Sequence, residues 1–344
     1  MAKQEIKCPK CGKEAVKYGT RKNKVQSIQR YKCSHCGKAF TLQQIKNITY
    51  PVQTILKSIS AYNMGYTLKQ TLEKIEKSEK IKVPLSTISS WIAQYKNICT
   101  FARIRKQAIK LCNPKNIIKK QALSHIQPYA FKYHKAKLDI LTKEIPKFNS
   151  LKLYLEKINS KDFPHHIFTY SNNKIAASSQ RASQMKFSHL NINKMQKQNQ
   201  ANQLAKLALS LATSNRDKHQ AIQDFMLIND STTIAVELPV YLTNWDAGYY
   251  RNQKGFTFPL SNYTTPITGH IDLLQIRNGL IHILDYKPEA NKIQPTEQLT
   301  IYALALSRKL NLPLYYFKCA WFDENNYFEF FPLHAVYGKK EMKR

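Results

Sequence analysis

Between residues 269 and 302 the chain reads Gly-His-Ile-Asp-Leu-Leu, then Leu-Ile-His-Ile-Leu-Asp-Tyr-Lys-Pro, then Gln-Leu-Thr-Ile-Tyr. Asp272 sits in one apolar run, Asp285 ends the next, and Lys287 follows two residues later. A strand repeats its face every second residue, so Asp285 and Lys287 share a face. Asn278-Gly279 is a hairpin dipeptide, and pairing across it carries Asp272 towards Asp285 and Lys287. Two carboxylates suit a hard divalent cation. An ammonium beside them suits a water that must be oriented, or charge that develops during reaction. The chemistry these parts fit is metal-dependent cleavage of a phosphodiester.

A second set of chemical residues stands near the start. Cys8-Pro9-Lys10-Cys11-Gly12 and Cys33-Ser34-His35-Cys36-Gly37 are two Cys-x-x-Cys pairs. Paired this way in a short basic segment, Cys8, Cys11, Cys33 and Cys36 read as one tetrahedral Zn²⁺ site. Four thiolates leave no open position for water, so the zinc is structural. The Gly after each pair allows the tight turn that lets two thiolates share a metal. So small a segment has no core of its own, and metal binding supplies its stability. His35 reads as a surface residue.

The elements that must position the acids begin near residue 201. Hydrophobic periodicity predicts helices over 201–211 and about 217–228, then strands over 232–241, 271–276 and 280–286. A helix over 295–310 follows, opened by Pro295, with strands over 314–322 and 327–331. This is an α/β core with a mixed central sheet. Gln298 and Tyr302 stand one turn apart on one face of the helix.

Residues 51–98 read as three short helices. Val52, Ile55, Leu56, Ile59 and Tyr62 mark the first, and Gly65 breaks it. Leu68, Leu72 and Ile75 mark the second. Ser86 caps the third, which turns Ile88, Trp91 and Ile92 inward and Thr87, Ser89, Ser90 and Gln94 outward. The turns have helix-turn-helix size, and the third helix would read DNA. Residues 101–200 read as a basic helical arm, with Arg103, Arg105, Lys106, Lys110, Lys115, Lys119 and Lys120 as phosphate contacts. Within it 170–200 is polar and poorly periodic, and reads as a linker.

Charge agrees with this division. The 344 residues carry a formal net charge of +32. Up to residue 200 there are roughly 39 Lys and Arg against 9 Asp and Glu, and roughly 15 against 13 after it. A basic arm of this size points to a polyanion, most simply DNA. No run is long enough to span a membrane, and the start has no apolar signal region. Cysteine usage suggests no disulfide framework, which places the chain in a reducing, cytoplasmic setting.

Two family resemblances add to this. The knuckles with Arg30-Tyr31-Lys32-Cys33 and Gly37-Lys38-Ala39-Phe40 resemble the N-terminal zinc ribbon of insertion-sequence transposases. Residues 61–68 and 84–91 look like the helix-turn-helix that follows it there. In those transposases an RNase H-like domain with three acids comes next. Here residues 100–215 hold few acids, among them Asp139, Glu144, Glu156 and Asp162, and none has a convincing strand context. The resemblance therefore implies DNA targeting, a mobile-element or viral origin, and no transposase chemistry.

The second resemblance rests on Gly269-x-x-Asp272, Asp285-x-Lys287 and Gln298-x-x-x-Tyr302. Together they look like the PD-(D/E)XK nuclease superfamily, in its RecB-type branch. That implies a restriction-endonuclease-like fold in which Asp272 and Asp285 ligate Mg²⁺ or Mn²⁺, helped by the Tyr286 backbone carbonyl. It implies that Lys287 acts on the attacking water and that Glu237 is the upstream acid and a metal ligand. It implies that His219 is the branch's helix histidine and that Gln298 and Tyr302 orient substrate or site. The iron–sulfur cluster of some relatives is not expected, because this part has only Cys319.

The expected domains are therefore a zinc ribbon over 1–45, a helix-turn-helix over 46–100, the arm over 101–200 and a nuclease domain over 201–344. The expected protein is a metal-dependent deoxyribonuclease, and a dimer would let it cut both strands. The rival reading is a non-catalytic DNA-binding regulator of a mobile element or provirus. Endonuclease and exonuclease action stay open.

Overall fold

The computed structural model describes residues 6–22, 25, 27–42, 49–123, 129–158, 181–185, 194–212, 214, 217–256 and 266–336. Most of the linker expected over 170–200 lies outside these residues. The chain forms two compact units, residues 1–62 with 66–93, and residues 63–65 with 94–344.

The first unit opens with a three-stranded antiparallel sheet of β1 (Ala15–Lys22), β2 (Ser27–Cys33) and β3 (Ala39–Thr41). Three helices follow: α1 (Val52–Asn63), α2 (Leu68–Glu79) and α3 (Leu85–Tyr95). Ile55, Leu56 and Ile59 of α1 are buried. A capping box starts α2. The Thr67 hydroxyl accepts from the Gln70 N–H at 3.2 Å, and the Gln70 side chain accepts from the Thr67 N–H at 3.0 Å. The third helix begins at Leu85, one residue before the cap expected at Ser86, and the Pro84 carbonyl accepts from the Thr87 and Ile88 amides. Ile88 and Trp91 are buried as expected, while Ser89, Ser90 and Gln94 are exposed.

The second unit is built on one mixed sheet of eight strands, in the order β4-β5-β7-β8-β9-β10-β11-β6. The central five come from the predicted core: β7 (Thr233–Leu242), β8 (Ile267–Arg277), β9 (Leu280–Tyr286), β10 (Phe317–Phe322) and β11 (Tyr327–Phe330). Asn278 and Gly279 both have positive φ, +50° and +71°, as a type I′ hairpin turn requires. Strands β9 and β10 are parallel, joined by α10 (Thr296–Leu310), and every other pairing is antiparallel.

The remaining strands correct the reading of 101–200 as a helical arm. Strands β4 (Ile118–Leu123) and β5 (Tyr129–His134) extend the sheet beyond β7, and β6 (Met195–Gln196) closes its other edge. Between them α4 (Arg105–Leu111) precedes β4, and α5 (Lys135–Glu144) and α6 (Asn149–Lys157) follow β5. On β5, Phe131 and Tyr133 are buried and Lys132 between them is not, which is the alternation of a half-buried strand. Lys119 and Lys120 sit on the outermost strand, where lysines discourage pairing with another chain.

Helices α7 (Gln200–Ala208), α8 (Lys218–Asn229), α9 (Asn244–Lys254) and α11 (Pro332–Val336) complete the unit. One apolar core joins α10 to β7, β8, β9 and β10 through Leu299, Ala303, Leu238, Ile271, Ile283 and Cys319, all fully buried. Among the described residues no helix is long and apolar enough to cross a membrane.

Candidate metal sites

The acids are placed by register. In the β7–β8 ladder Val236 faces Leu273 and Leu238 faces Ile271, which sets Glu237 opposite Asp272. In the β8–β9 ladder Leu273 faces Leu284, so the next position sets Asp272 beside Asp285. Three neighbouring strands thus bring one acid each to a single row. The β7–β8 register shifts between Thr233 and Ala235, two residues before Glu237. Glu237 adopts φ +52°, a left-handed conformation that a non-glycine residue holds only where its surroundings impose it.

The side chains then interlock. Lys287 Nζ lies 3.0 Å from Asp285 Oδ2. The Tyr286 N–H donates to Asp272 Oδ2 at 3.1 Å, and His219 Nδ1 lies 3.6 Å from the same oxygen. Lys287 is tied to β10 by its amide, which donates to the Phe322 carbonyl at 2.9 Å. On α10, Gln298 Nε2 donates to the Tyr302 hydroxyl at 2.9 Å. Asp272, Asp285, Lys287 and His219, all expected from the sequence as site residues, thus lie in one cluster, and Gln298 contacts Tyr302.

Glu237 is only partly drawn in. Its Oε1 accepts from Gln223 Nε2 at 2.5 Å. Gln223 was missed. It stands one turn after His219 on α8, so this helix sets one side chain on each of two acids. Asp224, the next residue, pairs with Lys132 of β5. The His219-x-x-x-Gln223 spacing was visible, but nothing in the sequence said which face of α8 lay on the sheet.

The electrostatics are those of crowded, buried carboxyls. Burial and the charge of Asp272 push the Asp285 carboxyl well above its ordinary value, although Lys287 opposes them. Burial works against Asp272 too, but hydrogen bonds from His219 and Asp285 and the charges of His219 and Lys287 hold it low. Burial and Asp272 raise Glu237 to about 7. Two adjoining buried carboxyls that cannot both ionise retain a proton, and a divalent cation can displace it. The residues present thus fit a hard cation with oxygen ligands.

Gly269 explains the first position of the motif. A Cβ there would lie 2.3 Å from Tyr302 Cε1 and 2.6 Å from its hydroxyl. The bare backbone is what lets Tyr302 lie against β8. Gly269→Ala is expected to lower stability by about 1–3 kcal/mol through this clash. A Tyr302→Ala change in the same chain should recover part of the loss, as read by denaturant unfolding of the single and double variants.

In the first unit, Cys8, Cys11, Cys33 and Cys36 place their sulfurs within 4.8 Å of one another. Cys8 and Cys36 are 3.6 Å apart, and Cys11 and Cys33 3.5 Å. A tetrahedral zinc with bonds of about 2.3 Å spaces its sulfurs by about 3.8 Å. Gly12 and Gly37 both have φ +69°, and their amides donate to the Cys8 and Cys33 carbonyls at 2.9 and 3.1 Å. The Cys36 and His35 amides help to lower the Cys33 thiol to about 6, against its burial. The set is compatible with a zinc ribbon. Among the described residues it is the one group of three or more Cys, His, Asp or Glu gathered this closely. Native mass spectrometry should find one zinc per chain. Chelation should abolish amide protection over 6–42 and leave that of the eight-stranded sheet unchanged.

A mixed sheet with a carboxylate on each of three neighbouring strands, and a lysine beside the last, fits a restriction-endonuclease-like core. Residues 171–323 match the family model of the PD-(D/E)XK nuclease superfamily, and this segment carries a domain of that superfamily. The match begins after β5, so β4 and β5 stand outside it. No curated protein and no solved structure matches the chain.

Proposed function

We propose that the chain is a metal-dependent deoxyribonuclease of the RecB-type branch, aimed at DNA by its N-terminal zinc ribbon and three helices, and carried by a mobile element or virus. The observation that carries the reading is the row of Glu237, Asp272 and Asp285 across β7, β8 and β9, with Lys287 3.0 Å from Asp285. In this reading Asp272 and Asp285 hold Mg²⁺ or Mn²⁺, with the Tyr286 carbonyl and, once freed from Gln223, Glu237. The bound cation supplies Lewis-acid charge neutralisation at the scissile phosphate. Lys287, paired with Asp285, orients the attacking water and faces the charge that develops. The Tyr286 amide and His219 fix the Asp272 carboxylate. Gln298 and Tyr302 brace the site from α10, Tyr302 against the backbone of β8. The three helices of the first unit act as a helix-turn-helix, with the exposed Ser89, Ser90 and Gln94 meeting bases or phosphates. The protein works in the cytoplasm, and two copies serve when both strands are cut.

The roles separate experimentally. Lys287→Ala should keep Mn²⁺ binding, measured by titration calorimetry, and should lower the cleavage rate by at least about 100-fold, the scale of losing one charge-stabilising group. Asp272→Asn should lose both. A Lys287→Ala protein that cuts at the wild-type rate would remove the lysine from the chemistry. The regulator reading has no observation of its own in its favour, since all three motif residues are present and assembled.

A further inference from the structure

A cleft of about 260 Å³ opens between α9 and α10, away from the acidic row. It is lined by Tyr249, Lys254, Arg308 and Tyr315, with no acid in its wall. Arg308 belongs to α10 six residues after Tyr302, which is about 9 Å along the helix. The Arg308 Nε faces Asp246 at 3.4 Å, and its guanidinium carbon lies 4.4 Å from the centre of the Tyr249 ring. The cation is therefore held over an aromatic face before any ligand arrives. Lys254 Nζ lies 5.6 Å from the same ring centre. Tyr315 is half exposed.

Trp245 continues this surface. It precedes Tyr249 by one turn of α9, so the two share a face of the helix. Trp245 is 81% exposed, while Trp91 and Trp321, the other two tryptophans of the chain, are buried. Leaving the largest apolar side chain in water, one helical turn from a residue of a cationic cleft, gains the fold nothing. It suits a surface awaiting a flat partner.

We propose that Trp245 and the α9–α10 cleft form a docking site for an unpaired strand of DNA, a site that rests on the nuclease reading and adds a substrate preference to it. Aromatic rings offer stacking platforms to bases of any kind, and cations set among them meet the phosphates. Duplex DNA hides its base faces and has no use for Trp245 or Tyr315. An acidic peptide would use Lys254 and Arg308 and leave the rings idle. Base faces and phosphates occur together in an unpaired strand, and this surface offers partners to both.

The exposed tryptophan supplies its own reporter. Full-length protein without added Mg²⁺ or Mn²⁺, where nothing is cut, is titrated with a short oligothymidylate and with a duplex of equal length while tryptophan emission is read. The single strand should quench the emission and the duplex should not, and Trp245→Phe should abolish the quenching. With a fluorescein-labelled oligothymidylate, Lys254→Ala and Tyr315→Ala should each weaken binding about tenfold, the scale of one lost stacking or phosphate contact. Both side chains are exposed, and melting curves confirm that the variants fold. Unchanged emission at saturating single strand, or equal quenching by duplex, would overturn the proposal. Quenching in a protein that never cuts would uphold this site and remove the nuclease reading. Cleavage without quenching would do the reverse.

Discussion

Asp285→Asn should abolish cleavage and, in the absence of divalent metal, should make the protein more stable at neutral pH. Both effects have one origin. Asp285 is buried beside Asp272, and its folded-state pKa is raised well above the ordinary 3.8. From the unfolded value up to the folded one, the folded chain binds more protons than the unfolded chain. Stability therefore falls as pH rises through that window, and the loss is complete above the folded value. Glu237, raised to about 7, acts with the same sign. Between pH 5 and pH 8 metal-free wild type should therefore lose stability relative to Asp285→Asn, and Mn²⁺ should cancel much of that difference by replacing the proton. Asparagine has no charge to bury and no charge to offer a cation. Its variant should gain about 1–2 kcal/mol at pH 8 without metal, gain nothing from Mn²⁺, and cut at background rate. The measurement is melting temperature against pH for both proteins, without added divalent metal and with Mn²⁺. A variant that is less stable than wild type at every pH would mean that Asp285 holds structure and not metal.

DNA affinity of the full chain should fall by about 10³–10⁵ between 50 and 200 mM salt, the loss expected when six to ten phosphates are contacted. Removing the first 93 residues should flatten that slope while leaving metal-dependent cleavage in place. The prediction follows from the uneven distribution of the +32 net charge. Filter binding across a salt series, for the full chain and the shortened one, gives the two slopes. Equal slopes would show that the basic N-terminal unit does not contact the DNA backbone.

Charge alone overstates the contact surface. Lys132 pairs with Asp224, and Lys152 Nζ lies 2.5 Å from Asp139 Oδ1. Lys137 is wholly buried, donates to the Leu227 and Thr233 carbonyls, and is drawn down to about 7 by burial. These lysines counted towards a basic arm in the sequence, yet they serve β5, α5 and α6 inside the fold. The same bias hid two strands. The alternation of Phe131, Lys132 and Tyr133 was readable, but its lysine-rich surroundings suggested a solvated helix. What was legible had short range and clear period: the Asn278-Gly279 hairpin, the α10 pair Gln298 and Tyr302, and the two cysteine knuckles. What was not legible depended on packing. The Glu237 backbone conformation, the face of α8 that carries Gln223, and the exposure of Trp245 are set by neighbours far away in sequence. Gly269 lies between these cases, since its motif position was noticed while its reason, the Tyr302 ring, appeared only in the fold.

The central claim is that the row of acids on β7, β8 and β9 cuts DNA with a divalent metal. Its most direct test is incubation of the full-length protein with supercoiled plasmid and with linear single- and double-stranded DNA, in Mg²⁺, in Mn²⁺ and in EDTA, beside Asp285→Asn. Wild type should cleave at least one substrate in Mg²⁺ or Mn²⁺, and no cleavage should occur in EDTA or by the variant. Binding without cleavage under every metal condition, or equal cleavage by wild type and Asp285→Asn, would contradict it.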